Sequence, residues 1–422
     1  MGWLERDSRH VWHPFTQHAT EDTPLPVVGA EGAHLKLEDG RVLVDAISSW
    51  WATLHGHGRK EIAGAMAEQA TRLDHVLFAG ATHPGAVKLA ERLAELAPGD
   101  LNRVFFSDDG STAVEVALKM VLQRWIQAGE PERRVLVALE GGYHGDTFGA
   151  MAVGDPDPFF MPFAPLLFEV RRVPASGEAL CDALDELGSR AAGLILEPLV
   201  QGAAGMQMHP PEFLREARAA CDARGLPMIA DEVMTGFGRT GTLFACDRAG
   251  IAPDVMCLAK GLTGGMFPMS VTLATEEIFS SFLSEDRARA LFHGHTFTAH
   301  PVGCAAALAS TSIVLEEDVP ARFEGLGRAL LERLGPIESH PAVSGLRRTG
   351  GIVAFDLSPG EGEPTGYLGS LAPRIRRMAI ESGVLLRPLG NVVYAMPPAC
   401  AAEEDLDLIA EAMRSAADLA LR

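Results

Sequence analysis

Leu226-Pro227-Met228-Ile229-Ala230 is a short apolar run that stops at Asp231-Glu232-Val233. Asp254-Val255-Met256-Cys257-Leu258-Ala259 repeats the pattern and stops at Lys260-Gly261-Leu262-Thr263-Gly264-Gly265. Apolar runs of about four to eight residues bounded by Gly, Pro and charge read as parallel strands covered on both faces, although periodicity alone leaves a buried helix open. In an open α/β sheet ligands sit outside the carboxyl ends of the strands, so the pattern delivers Asp231 and Lys260 to one crevice. That pairing suggests pyridoxal 5'-phosphate: a buried lysine forms a Schiff base with its aldehyde, and an aspartate beside the pyridine nitrogen keeps it protonated, which makes the ring an electron sink. Lys260 and Asp231 are therefore the candidate catalytic pair.

Around this stretch, 422 residues with 47% apolar and 22% charged side chains are enough for one large α/β domain and a smaller one. Lys plus Arg number 36 against 56 for Asp plus Glu, a net charge of −20. Such acidity argues against nucleic acid or an anionic membrane as a partner. The six cysteines are scattered with no zinc or redox spacing, so reduced core thiols are expected. Met1-Gly2-Trp3-Leu4-Glu5-Arg6-Asp7 has two acids and no apolar signal core, and no stretch approaches the roughly 20 apolar residues of a membrane span. A cytoplasmic protein is the expectation.

Along the chain, Ala33 to Asp45 alternates about Asp39-Gly40 and predicts a β-hairpin. Ser48-Ser49-Trp50-Trp51 follows, with two of the five tryptophans, which form either a core plug or an apolar substrate wall. His55-Gly56-His57 and His293-Gly294-His295 lie near no carboxylate or cysteine set with ligand spacing, so no metal is expected. Residues 61 to 97 have helical spacing. Arg103-Val104-Phe105-Phe106 reads as a strand running into Ser107-Asp108-Asp109-Gly110-Ser111-Thr112-Ala113, with a helix from Val114 to Trp125. A strand, a Gly-Ser turn and a helix start make a phosphate site, although Ser111 and Thr112 also fit as helix caps.

A strand over Arg134 to Leu139 leads to Tyr143 on a Gly-rich turn, placed to lie on a pyridine ring. The Pro- and Phe-rich residues 155 to 170 predict an irregular covering loop. A strand over Ala191 to Leu196 ends in Glu197, which reaches the crevice rim as a site group or as a structural acid paired with an arginine. Gly236-Phe237-Gly238-Arg239-Thr240-Gly241 matches the dinucleotide fingerprint G-x-G-x-x-G, which raises a nicotinamide dehydrogenase as an alternative. The fingerprint should follow directly on the first strand and open a helix with an acid about 20 residues on, whereas here Asp231-Glu232 intervenes and Pro253-Asp254 starts another strand soon after. A small-residue helix is expected over Gly303 to Leu315. From about residue 316 charged helices surround a strand at Gly351 to Asp356, a Gly-Pro-Glu-rich loop covers 358 to 366, and Arg387 stands inside an apolar strand, where it meets either a structural partner or a substrate carboxylate.

Taken together, Asp109-Gly110-Ser111 with Ala113 and Glu115, Asp231-Glu232-Val233, Gly236 to Gly241 and Lys260-Gly261 resemble the class III aminotransferases. More narrowly, Trp12-His13-Pro14, Ser48 to Trp51, Gly142 to Thr147, Leu262 to Gly265 and Arg387 to Asn391 are similar to the branch of that family that aminates 8-amino-7-oxononanoate in biotin biosynthesis. The resemblance runs over nearly the whole chain. It implies the α/β fold type I of pyridoxal phosphate-dependent transferases, in which a mainly parallel sheet lies between helices. Residues 61–315 would form the large domain, and residues 1–60 with 316–422 the smaller α/β domain.

The resemblance also implies roles. Lys260 would hold the cofactor and shuttle the proton, Asp231 would pair with the pyridinium and Tyr143 would stack on the ring. Gly110 and Ser111 would bind the phosphate, with Val233 beside the cofactor and Thr296 supplied by the other subunit of a homodimer. Trp50, Trp51, Phe15 and Asp146 would line the substrate site, Arg387 would take the acceptor's carboxylate, and Arg239 would sit at the entrance. Branch members that use S-adenosylmethionine commonly carry Tyr where this chain has Phe15, and Gly-Pro-Thr where it has Gly294-His295-Thr296. Members that use lysine show Phe and His there. Trp50-Trp51 and Trp12-His13 favour adenosylmethionine, so that donor is expected, with lysine the alternative and another ω-amino acid aminotransferase behind it.

Overall fold

The computed structural model describes residues 2–358 and 366–421. Both opening runs are strands, Met228–Asp231 and Val255–Leu258, and they pair in parallel with Asp231 opposite Cys257. They lie within a seven-stranded sheet, in the order Arg103–Ser107, Ser270–Ala274, Val255–Leu258, Met228–Asp231, Ala191–Leu196, Val135–Leu139 and Val170–Val173. Ser270–Ala274 is antiparallel to both of its neighbours and the remaining pairs are parallel. The central strands are buried at every position, as runs of Val, Ile, Leu and Ala require when helices cover both faces. Their carboxyl ends therefore open together, which brings the segments after Leu139, Leu196, Asp231 and Leu258 to one edge.

Local chemistry moves some boundaries. The helix expected from Val114 starts earlier and spans Gly110–Ala128, because Asp109 is its N-cap: the carboxylate accepts from Thr112 N at 2.9 Å and Thr112 Oγ1 accepts from Asp109 N in return. Ser111 is thus in the first turn rather than at the cap. Residues 61 to 97 form two helices, Lys60–Arg72 and Pro84–Leu96. Pro84 cannot continue a preceding helix, and His83 caps the second by accepting from Ala86 N. The segment 155–170 carries a 3-10 turn, Met161–Leu166.

The hairpin strands His34–Leu37 and Val42–Asp45 join Val27–Glu31 and, in parallel, Val384–Leu385 in a second sheet, which ties the start of the chain to its end. Val343–Thr349, Ile352–Leu357 and Val392–Ala395 form a third. Arg387 lies beyond the short strand Val384–Leu385 instead of inside one. Most of the predicted Gly-Pro-Glu-rich loop, residues 359–365, lies outside the described residues. All six cysteines are free thiols. Among the described residues no helix is long and apolar enough to cross a membrane.

Candidate active site

At the carboxyl edge of the large sheet lies a cavity of about 710 Å³. Lys260 enters it directly after Val255–Leu258, on a short 3-10 turn whose first residue has φ 43°, and Asp231 enters from the neighbouring strand end. Opposite them, the first turn of Gly110–Ala128 presents Gly110 and Ser111. A Cβ on Gly110 would stand 2.7 Å from Val233 Cγ1, so only glycine lets the helix start approach this closely. Ser111 Oγ is 2.8 Å from Thr147 Oγ1 and accepts from Thr147 N at 2.9 Å, which joins the helix start to the Tyr143 turn. Tyr143 lines the same cavity and donates its hydroxyl to Asp146 at 3.0 Å.

The electrostatics of this cavity are set by burial. Burial pushes Lys260 down to about 8, against the pull of the Asp231 and Glu197 charges. His144 is fully enclosed, and its Nδ1 lies 2.7 Å from Asp231 Oδ2 while Val233 N donates to Asp231 Oδ1 at 3.1 Å. Burial acts to lower the His144 pKa, but the hydrogen bond and charge of Asp231, with Glu197, outweigh it and raise the ring above its ordinary value. Burial also pushes Glu197 up to about 7, and its carboxylate accepts from Tyr143 N at 3.0 Å and Gly202 N at 2.9 Å. The sequence offered Glu197 an arginine partner; backbone N–H groups take that place.

A second, outer cavity of about 880 Å³ adjoins the first, and Asp146 lines both. Phe15 packs edge-on against Trp50 and Phe159, with centroids 5.7 Å apart in each pair. The Arg387 guanidinium lies over the Trp50 ring, 4.7 Å from its centroid. Arg376 joins Arg387 on the wall. Trp51 lines the inner cavity, and its Nε1 donates to the hydroxyl of the buried Tyr394 at 2.9 Å.

The structure therefore gathers Lys260, Asp231, Tyr143, Gly110, Ser111, Val233, Asp146 and Trp51 around one cavity, and Phe15, Trp50, Asp146 and Arg387 around the next. Two expected residues are elsewhere. Arg239 is fully buried and donates to the carbonyls of Met396 and Pro397 and to Ser48 Oγ, so it is not at an entrance. The resemblance implied an entrance position, whereas Phe323 and the 396–397 carbonyls enclose it. Thr296 is exposed and lines neither cavity. Sequence reasoning gave no role to His144, although it stands beside Tyr143 in the quoted turn, or to Thr147 and Arg376.

The model of the family described as aminotransferase class-III matches residues 15–417. The chain belongs to that family. As a class III aminotransferase it is 49% identical over 423 residues to the adenosylmethionine-8-amino-7-oxononanoate aminotransferase of Synechococcus elongatus, covering 97% of this chain and 98% of that one. It is 41% identical to the enzyme of the same name from Geobacter sulfurreducens, over 96% of this chain and 95% of the relative. In three dimensions it is similar to the crystal structure of the adenosylmethionine-8-amino-7-oxononanoate aminotransferase from Methanocaldococcus jannaschii, with a TM-score of 0.94, 34% identity and 99% of each chain covered. The fold is thus α/β fold type I, and the family's cofactor is pyridoxal 5'-phosphate. The residues of this aminotransferase fit that group: a helix start and Ser111 for an anion, the Tyr143 face for a ring, the Asp231 carboxylate for a ring nitrogen and the Lys260 amine for an aldehyde.

Proposed function

We propose that this aminotransferase converts 8-amino-7-oxononanoate to 7,8-diaminononanoate in biotin biosynthesis, with S-adenosylmethionine as amino donor, in two half-reactions at one site. The observation that carries the reading is the outer cavity, where the Trp50 face and the Arg387 guanidinium suit an aliphatic chain that ends in a carboxylate. The names of the full-length relatives support the same acceptor. Lysine as donor is the second reading, favoured by Phe15 and by His295 beside Thr296.

Bound pyridoxal phosphate supplies an electron sink for charge left at the amino acid carbon. The chain's own residues supply the rest. Lys260 would hold the cofactor's aldehyde through Nζ and, as a free amine, would serve as the base and acid that moves the substrate's Cα proton. Asp231 holds a proton at the ring nitrogen, and His144 fixes the carboxylate that does so. Tyr143 covers one face of the ring. Gly110 and Ser111 hold the phosphate at the helix start, beside Val233 and joined by Thr296 of the partner subunit. Phe15, Trp50, Trp51 and Asp146 line the path of the substrate, and Arg387 orients its carboxylate.

A homodimer with sites at the subunit interface belongs to the same proposal. It is supported by the exposure of Thr296 away from its own cavity and of Phe292, 79% exposed, on the same segment. So do the cytoplasmic location and the division into residues 61–315 and a unit of 1–60 with 316–422. That division is supported by the pairing of Val42–Asp45 with Val384–Leu385.

The test is the visible spectrum of the holoenzyme before and after separate addition of S-adenosylmethionine and lysine. Bleaching by one donor and recovery on adding 8-amino-7-oxononanoate would demonstrate both half-reactions and name the donor. Bleaching only by other amines, with no recovery on the oxononanoate, would remove the reading in favour of another ω-amino acid aminotransferase.

A further inference from the structure

The turn that carries both tryptophans is held in a costly backbone conformation by groups outside either cavity. Ser48 has φ 50°, Ser49 has φ 58° with ψ −80°, and Trp51 has φ 66°. Such values are uncommon for residues with a Cβ and persist where the surroundings over-determine them. The surroundings here are specific. Asp45, at the end of Val42–Asp45 and 0% exposed, accepts from Ser49 N at 2.8 Å through Oδ1. Through Oδ2 it accepts from Ser49 Oγ at 2.8 Å and lies 2.9 Å from His57 Nε2. From the other side Arg239 donates to Ser48 Oγ at 3.2 Å, and Ser48 Oγ donates to the Met396 carbonyl at 2.8 Å.

This bracing serves two walls at once. Trp50 points into the outer cavity under Arg387, and Trp51 points into the inner one, its ring centroid 4.6 Å from the Lys260 amine. Neither Asp45 nor Arg239 lines either of these two cavities. A relaxed turn would swing adjacent side chains away from both.

We propose that Asp45 is the positioning residue of this aminotransferase's substrate walls: its buried carboxylate, shared between Ser49 and His57, holds the strained Ser48–Trp51 turn so that Trp50 and Trp51 face the two cavities, with Arg239 bracing the turn from behind. The inference rests on the two cavities being the reaction space of the proposed function. It gives Arg239 a role the sequence pattern did not suggest, behind the wall instead of at an entrance.

The experiment is steady-state kinetics of the Asp45→Asn holoenzyme beside Asp45→Asn with Ser49→Gly. Asparagine keeps the size but turns one acceptor into a donor facing Ser49 or His57. The expected result is a KM for the amino acceptor raised about tenfold with kcat within about twofold, as for a lost hydrogen bond to a charged group. Bound cofactor absorbance should stay unchanged. Glycine takes positive φ without a steric cost, so the double variant should recover KM to within about threefold of wild type. An unchanged KM with only a lowered Tm would overturn the proposal, as would a raised KM that Ser49→Gly leaves unrelieved. If Asp45→Asn does not fold, His57→Gln removes one partner of the carboxylate and should raise KM about threefold; an unchanged value overturns the proposal. Should wild type prefer another amine and ketone, the proposed function fails, and the same split measured on that pair still decides the role of Asp45.

Discussion

The Lys260 amine stands 4.6 Å from the centroid of the Trp51 ring, over its face. The electron-rich face favours an ammonium, as do the Asp231 and Glu197 charges, yet burial dominates and pushes the lysine down to about 8. Only the neutral amine attacks an aldehyde. The rate of pyridoxal phosphate uptake by the apoenzyme should therefore rise with pH through about 8 and level off above it, well below the 10.5 of an ordinary lysine. Stopped-flow absorbance reads the rate. Lys260→Ala should have no turnover, and full activity in that variant would take Lys260 out of the chemistry.

His144 acts through Asp231. With Nδ1 2.7 Å from Asp231 Oδ2 and Nε2 unpartnered in a buried site, the ring's one hydrogen bond goes to that carboxylate. His144→Phe should lower kcat about tenfold to a hundredfold, the worth of a hydrogen bond to a charged group, with KM little changed. Asp231→Asn should cost more. The double variant should be no worse than Asp231→Asn alone, because the two residues form one unit. Additive losses would show His144 working by another route.

Much of this site was legible because parallel strands end on one side. Once Met228–Asp231 and Val255–Leu258 are adjacent strands, Asp231 and Lys260 must share a crevice, whatever the helices do. The Gly110–Ser111 helix start was legible for the same reason, although its cap was not: Asp108, Asp109, Ser111 and Thr112 are all capping residues by type, and only geometry selects Asp109. The burial of Arg239 was not legible, because it depends on carbonyls some 160 residues away in the chain. Nor does sequence periodicity carry the Asp45 bracing, which consists of positive φ values and contacts to His57 and Ser49.

Arg387 has its guanidinium over Trp50, 4.7 Å from the centroid, at the wall of the outer cavity. If it receives the acceptor's carboxylate, Arg387→Gln should raise KM for 8-amino-7-oxononanoate about tenfold to a hundredfold. KM for a ketone of the same length without the carboxylate should not change. An equal rise for both ketones would mean that Arg387 only supports the Trp50 ring.

Phe15 is wedged edge-on between Trp50 and Phe159 and is 41% exposed, so its rim faces the incoming substrate. Phe15→Tyr adds one hydroxyl there. The expected outcome is a shift of kcat/KM towards S-adenosylmethionine over lysine by about tenfold, the worth of one hydrogen bond. A ratio equal to wild type would show that position 15 does not read the donor.

Glu197 links this site to pH. Burial holds its carboxyl up to about 7 against an ordinary 4.5, with His144 opposing the shift and Asp231 adding to it. In the window between those values the unfolded chain releases this proton while the folded one keeps it. The folded state then binds more protons, and stability falls as pH rises through the window and is flat on either side. Glutamine is neutral throughout. Glu197→Gln should therefore differ from wild type in a pH-dependent way: between pH about 5 and about 8 the wild-type protein should lose about 2 kcal/mol relative to the variant. The variant has one acceptor oxygen where Glu197 serves both Tyr143 N and Gly202 N, which adds a constant cost but no slope. Urea unfolding of both proteins at the two pH values isolates the slope from the constant. A difference that does not change with pH would mean that Glu197 titrates as an ordinary carboxyl and enters the site already ionised.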